Sequence, residues 1–146
     1  CLASSKISKV YSNSINSNNS EIICNDNFNI SVKFENGSIA NIVYTSAGSV
    51  ALEKEYIEVF GGGCTAKIID FQKLELYQDN KNIFSKKYSS QDKGQKHMIS
   101  SWLKDIKLNK ISMSYDFIIN TSLSTVLSAE SLMTGEPVDV NLNILD

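Results

Sequence analysis

The sequence predicts an α+β fold: an antiparallel-rich mixed open sheet, with helices packed on one face and the other face available for dimerisation. Three observations predict it. The first two-thirds of the chain alternate with a period of two and are broken by turn residues. After Lys93 the apolar spacing changes to three and four. Strands that precede helices, rather than alternating with them, indicate a sheet with helices collected on one side.

In chain order, Lys6 to Ile15 carries a short apolar run, Ile7, Val10 and Tyr11, and Asn16 to Ser20 is polar and turn-like. Phe28 to Glu35 alternates, with Phe28, Ile30, Val32 and Phe34 on one side. Asn36-Gly37 follows, and Ser38 to Thr45 resumes as strand. An Asn-Gly pair between two strand patterns predicts a two-residue hairpin loop. That loop would set Phe34 opposite Ile39 and Ile30 opposite Val43. Ala40, Ile42 and Tyr44 would then lie beside Lys33, Ser31 and Asn29, on a face too apolar for free solvent and suited to a partner subunit.

Glu55 to Phe60 and Cys64 to Ile69 read as strands joined at Gly61-Gly62-Gly63. Lys73 to Tyr77 alternates again, Asp79-Asn80 is a turn signal, and Ile83 to Tyr88 reads as a short edge strand. From Lys93 to Leu108 the apolar residues Met98, Ile99, Trp102, Leu103 and Ile106 form a helical stripe. A second helix starts near Ser114, with Asp116 inside its first turn, and carries a stripe centred on Val126. Gly135 and Pro137 end it, and Val138 to Leu142 returns as a last strand.

The composition narrows the function classes. The 146 residues suit one domain, the formal net charge is −2, and all 14 basic residues are lysine. No basic footprint for nucleic acid or an anionic membrane is present, and no arginine is available as a bidentate clamp for phosphate or carboxylate. No apolar run reaches the roughly 20 residues that span a bilayer. The expectation is therefore no nucleic-acid and no membrane partner. Three cysteines, Cys1, Cys24 and Cys64, suggest neither a disulfide framework nor zinc, and are read as reduced thiols of a cytoplasmic protein. A first residue of Cys1 fits a longer polypeptide cut at this point, or a lipidated surface lipoprotein. Leu2, Ile7, Val10 and Tyr11 read as strand rather than as a polar tether.

Few residues suggest chemistry. The glycine triplet lies between two strand patterns, whereas a dinucleotide fingerprint needs a glycine-rich loop between strand and helix. His97, the sole histidine, falls on the flank of the first helical stripe and reads as structural. No serine sits in a nucleophile elbow, and Asp70 and Asp79 do not form a pair. From residues alone this is a binding or assembly domain, with no catalytic, cofactor-binding or metal-binding residues.

Several stretches resemble one family. DNFNISVKFENGSIANIVYTSA (Asp26 to Ala47), KEYIEVFGGG (Lys54 to Gly63) and IIDFQKLELY (Ile68 to Tyr77) resemble the sheet domain of the Gfo/Idh/MocA oxidoreductases. QDKGQKHMISSWLKDI (Gln91 to Ile106) is similar to that family's approach to its first C-terminal helix, and SAESLMTGEPVDV (Ser128 to Val140) to its closing helix and strand. The IEVFGGG, DFxKLELY and QDKG elements look closest to a branch acting in cell-surface sugar or polysaccharide metabolism.

The resemblance implies that residues 1–146 are a single C-terminal domain, for substrate and oligomerisation. A Rossmann domain holding NAD or NADP, and a catalytic lysine in a Glu-Lys-Pro-like motif, would lie outside this chain. The full-length parent would be an NAD(P)-dependent oxidoreductase of a sugar or sugar derivative. This chain alone would bind no cofactor and be inactive, and would form a homo-oligomer through its sheet face. The segment Gln91 to Gln95 would approach the parent's small-molecule sugar substrate, with Lys93 and Gln95 as contacts. Gln95 stands where related sequences often carry histidine, which removes a titratable group. The competing reading is a non-catalytic binding or assembly module, including the surface lipoprotein.

Overall fold

Residues 2–16, 18 and 26–141 are described by the computed structural model. The expectations for Cys1, Cys24 and Leu142 lie outside them. The elements in chain order are β1 (Ile7–Ser14), β2 (Asn27–Phe34), β3 (Ile39–Thr45), β4 (Tyr56–Gly61), β5 (Cys64–Ile69), β6 (Lys73–Gln78), β7 (Lys81–Lys87), α1 (Gln95–Lys107), α2 (Tyr115–Thr134) and β8 (Val138–Asp139). The α+β class and the open antiparallel architecture agree with the sequence pattern. The strands form two four-stranded sheets, ordered β3-β2-β1-β8 and β4-β5-β6-β7. They belong to two units, one built from β1–β3, α2 and β8, the other from β4–β7 and α1.

In the first unit, α2 packs on β1 and closes a core of Val10, Val32, Phe34 and Leu127, with Ile7, Ile30, Leu123 and Val138 at its margin. The helix does not use the stripe expected from its apolar residues. Its buried side chains are Asn120, Ser124, Leu127, Ser128 and Ser131, while Val126 is 65% exposed. The reason lies in the strand beneath. β8 pairs only with Lys9 and Val10 of β1, so the backbone at Ile7 and Ser12 is beyond its reach. α2 supplies the partners. Asn120 Oδ1 accepts from the Ile7 N–H at 2.7 Å, Asn120 Nδ2 donates to the Ile7 carbonyl at 2.9 Å, and the Ser12 N–H donates to Ser131 Oγ at 2.9 Å. Backbone groups left unpaired in the interior cost about 1–3 kcal/mol each, comparable to the gain from burying a valine, and Asn120 serves two of them at once. The small serines also bring the helix close. Their hydroxyls fold back onto its own carbonyls, Ser124 to Asn120 at 2.6 Å and Ser128 to Ser124 at 2.7 Å.

The β2–β3 hairpin corrects the expected register. Its loop has three residues, Glu35-Asn36-Gly37. The Phe34 N–H donates to the Ser38 carbonyl at 2.9 Å, and the Gly37 N–H to the Phe34 carbonyl at 3.1 Å. Gly37 alone in the loop has positive φ, 85°, so Asn36 does not take the conformation that a two-residue loop would demand. Ile39 therefore lies opposite Lys33, and Ile42 opposite Ile30. A one-residue slip exchanges the faces of β3. Ala40, Ile42 and Tyr44 share the helix-facing side with Val32 and Ile30. The outer face carries Lys9, Tyr11, Asn29, Ser31, Lys33, Ile39, Asn41 and Val43. It is more polar than expected, and its apolar residues are Tyr11, Ile39 and Val43.

The second unit is a meander with three tight turns. Gly62-Gly63 (φ 57° and 77°), Asp70-Phe71 (52° and 50°) and Asp79-Asn80 (48° and 60°) place both turn residues in the left-handed region. The glycine triplet is thus a hairpin turn, with Gly61 paired to Cys64. β7 is an edge strand, as its sequence suggested. Gly94, whose φ is 78°, caps the start of α1, and the helix buries none of its residues.

Candidate functional site

The segment Gln91 to Gln95 leads into α1, and two backbone contacts anchor the connection from β7, residues 88–94, to the β5–β6 turn. The Tyr88 N–H donates to the Gln72 carbonyl at 2.8 Å, and the Asp92 N–H to the Phe71 carbonyl at 3.0 Å. Asp92 Oδ1 then accepts from the Gly94 N–H at 2.9 Å, bending the chain into α1. The Asp70 N–H donates to the Glu55 carbonyl at 2.6 Å, so the residue before β4 joins the same corner.

Lys93 lies in this corner and is engaged there. Its Nζ forms an ion pair with Glu55 Oε1 and stands 5.7 Å from the centre of the Phe71 ring. The ring face attracts the ammonium, and the Glu55 carboxylate fixes its position. The second carboxylate oxygen of Glu55, and Oδ1 of Asp70, are buried without a hydrogen-bond partner. Buried carboxylate oxygens require donors. Gln95 is exposed at the first position of α1.

The corner therefore joins Glu55, Asp70, Phe71 and Lys93, of which the sequence pointed to Lys93 alone. The missed signal was Asp70-Phe71: two residues between strand patterns, one an aspartate that tolerates positive φ. Chemically the corner offers an ammonium donor, carboxylate acceptors and an aromatic face. It can orient a hydroxyl-bearing molecule. Asp70 and Asp79 sit in turns at opposite ends of β6 and are not brought together. His97 is exposed on α1.

A second polar cluster crosses one face of the β4–β7 sheet. Tyr56 OH donates to Glu58 at 2.7 Å, Lys67 pairs with Glu58 at 3.0 Å, and Lys73 pairs with Glu75 at 2.8 Å. The Tyr56 hydrogen bond, followed by Lys67, lowers the Glu58 pKa, while Glu58 raises those of Tyr56 and Lys67. Lys73 holds the Glu75 carboxyl below its usual range. Every ionised group here has a neighbour that stabilises its charge, which describes a salt-bridged strand face rather than an acid–base pair. Among the described residues, no group of three or more His, Cys, Asp or Glu could hold a metal ion, and no helix is long and apolar enough to cross a membrane.

No protein-family model and no curated protein matches the sequence. Solved structures do match the fold. An oxidoreductase from Agrobacterium radiobacter in complex with NAD+, L-tartaric acid and magnesium superposes with a TM-score of 0.72 at 16% identity, over 92% of this chain and 44% of its own. A levoglucosan dehydrogenase in complex with NADH and L-sorbose gives 0.64 at 15% identity, over 93% and 45%. The WlbA dehydrogenase from Bordetella pertussis, in complex with NADH and UDP-GlcNAcA, gives 0.51 at 10% identity, over 94% and 40%. The chain spans less than half the length of each. At these identities the shared property is the fold: nearly all of this chain is built like one part of NAD-bound oxidoreductases.

Proposed function

We propose that the chain is the C-terminal, substrate-facing and oligomerising domain of an NAD(P)-dependent oxidoreductase of the Gfo/Idh/MocA type, acting on a sugar or sugar derivative. The observation that carries this reading is the fold match over more than nine-tenths of the chain. The ligands named with those structures, L-tartaric acid, L-sorbose and UDP-GlcNAcA, are all rich in hydroxyl groups.

The residues described here do not fit a dinucleotide. The glycine triplet closes a hairpin, whereas a pyrophosphate cradle needs a glycine-rich turn opening a helix. NAD or NADP would be held by another domain of a longer polypeptide, and there it would supply the hydride chemistry. This domain's part is positional. Lys93, held by Glu55 over Phe71, would donate to a substrate hydroxyl oxygen. Gln95, at the exposed start of α1, can both donate and accept. Neither would move a proton. The outer face of the first sheet, with Tyr11, Ile39 and Val43 among polar residues, would form the contact between copies. A cytoplasmic location belongs to the same reading.

The test is an assay of the full-length gene product with NAD+ and NADP+ against a panel of sugars, sugar acids and nucleotide sugars. Formation of reduced nicotinamide with at least one supports the proposal. No turnover across the panel with either cofactor, by a folded protein, would sink it.

A further inference from the structure

We infer that Glu55 is the specificity-determining residue of the Lys93 corner, and that it selects uncharged sugars and polyols over sugar acids. This rests on the proposed function, in which substrate is seated at that corner. It adds the charge of the substrate and the residue that sets it.

An ammonium group offers three N–H donors and no acceptor. The Lys93 ammonium already serves Glu55 Oε1 and stands toward the Phe71 ring. Its side chain is 35% exposed, so a ligand oxygen can still reach it. A hydroxyl oxygen needs one such donor. A carboxylate carries a full charge on two oxygens, and is held best by an arginine fork or by a cation with no other partner. The chain has no arginine, and Lys93 is paired.

The neighbouring charges favour the same class. Glu55 Oε2 is buried without a hydrogen-bond partner, so the ion pair with Lys93 is what offsets its charge. Asp70, whose N–H donates to the Glu55 carbonyl, also keeps a buried carboxylate oxygen without a partner. Asp92, next to Lys93, adds a third carboxylate, bonded to the Gly94 N–H. Among the nearby lysines, Lys73 pairs with Glu75 at 2.8 Å, and Lys54 and Lys96 are exposed. A ligand carboxylate would therefore meet a cation already neutralised, with further negative charge beside it. Such a juxtaposition rejects a ligand more strongly than a missing contact would. An uncharged polyol meets no such repulsion. The bond from the Asp70 N–H goes to the Glu55 backbone, so Glu55→Gln keeps that bond and the side-chain shape and removes the charge alone.

Steady-state kinetics of the full-length gene product test this, on neutral sugars and on the uronic and aldonic acids of the same sugars. In the wild type, kcat/KM should be about tenfold or more higher for the neutral member of a pair. Glu55→Gln leaves Lys93 a free cation, and should shrink that ratio about tenfold or more through a gain on the acid. Lys93→Ala leaves Glu55 uncompensated, and should raise the ratio further. A merely structural role for Glu55 would lower both members alike and leave the ratio where it was. Equal turnover or a preference for the acids in the wild type overturns the inference and leaves the oxidoreductase reading standing. So does a ratio that Glu55→Gln leaves unchanged, or that Lys93→Ala does not raise. No turnover of any pair with NAD+ or NADP+ removes the oxidoreductase reading, and this inference with it.

Discussion

The Asn120 side chain treats Ile7 as a neighbouring strand would: it accepts from the Ile7 N–H at 2.7 Å and donates to the Ile7 carbonyl at 2.9 Å. One helical amide thus completes the edge of β1 where β8 falls short. Asn120→Ala should destabilise the protein by about 2 kcal/mol, because two backbone groups lose their partners. Val126→Ala, on the exposed side of the same helix, should stay within about 0.5 kcal/mol of wild type. Urea midpoints measure both. Equal midpoints for Asn120→Ala and wild type would show that water replaces the amide at no cost.

This pair also explains what was legible in the sequence. Strand alternation exposed the strands of both sheets, because a half-exposed face imposes a period of two. The apolar stripe of α2 misled, because its buried side is selected by unmet backbone groups of β1, more than a hundred residues away in sequence. The hairpin register misled in another way. Asn36-Gly37 satisfies two loop lengths, and Phe34 bonding to Ser38 selects the longer one. At the candidate site, Lys93 stood out only through the resemblance of the segment before α1 to a known family. Its neighbours Glu55, Asp70 and Phe71 did not, since only the return of the chain past the β5–β6 turn brings them there.

The Glu58 cluster predicts a pH dependence. The pKa of Glu58 is lowered from 4.5, so its contribution is present above that value and is lost as pH falls through the folded pKa. Tyr56 and Lys67 are raised from 10.0 and 10.5, so their contributions are present below those values and are lost as pH rises through the folded pKa values. Glu58→Gln should therefore be less stable than wild type at neutral pH. The gap should narrow below about pH 4.5 and above about pH 10. Thermal unfolding across pH measures it, and a gap independent of pH would contradict the cluster's role.

Lys93→Ala in the full-length enzyme should lower kcat/KM about tenfold or more, corresponding to roughly 1.4 kcal/mol of transition-state binding. The pH profile of kcat should keep its shape, since Lys93 is assigned a positioning role and transfers no proton in the step. Gln95→Ala should act in the same direction. Steady-state kinetics decide, and unchanged kcat/KM in both variants would remove the corner from the substrate site.

The corrected register changes which residue should disturb self-association. Val43 and Ile39 stand on the outer face, 76% and 78% exposed, whereas Ile42 faces the helix side. Val43→Lys should weaken a dimer about tenfold or more, corresponding to roughly 1.4 kcal/mol, and Ile42→Lys should weaken it less. Sedimentation velocity at several concentrations measures the difference. A wild-type chain that stays monomeric at high concentration would contradict a contact through this face.

Calorimetric titration of NAD+ and NADP+ into the 146-residue chain and into the full-length gene product decides whether this is the substrate-side domain of a nicotinamide-dependent enzyme. Binding of one cofactor or both is expected for the full-length protein, and none for the 146-residue chain, whose glycine triplet is a hairpin turn. Binding by the 146-residue chain alone, or by neither protein, would contradict it.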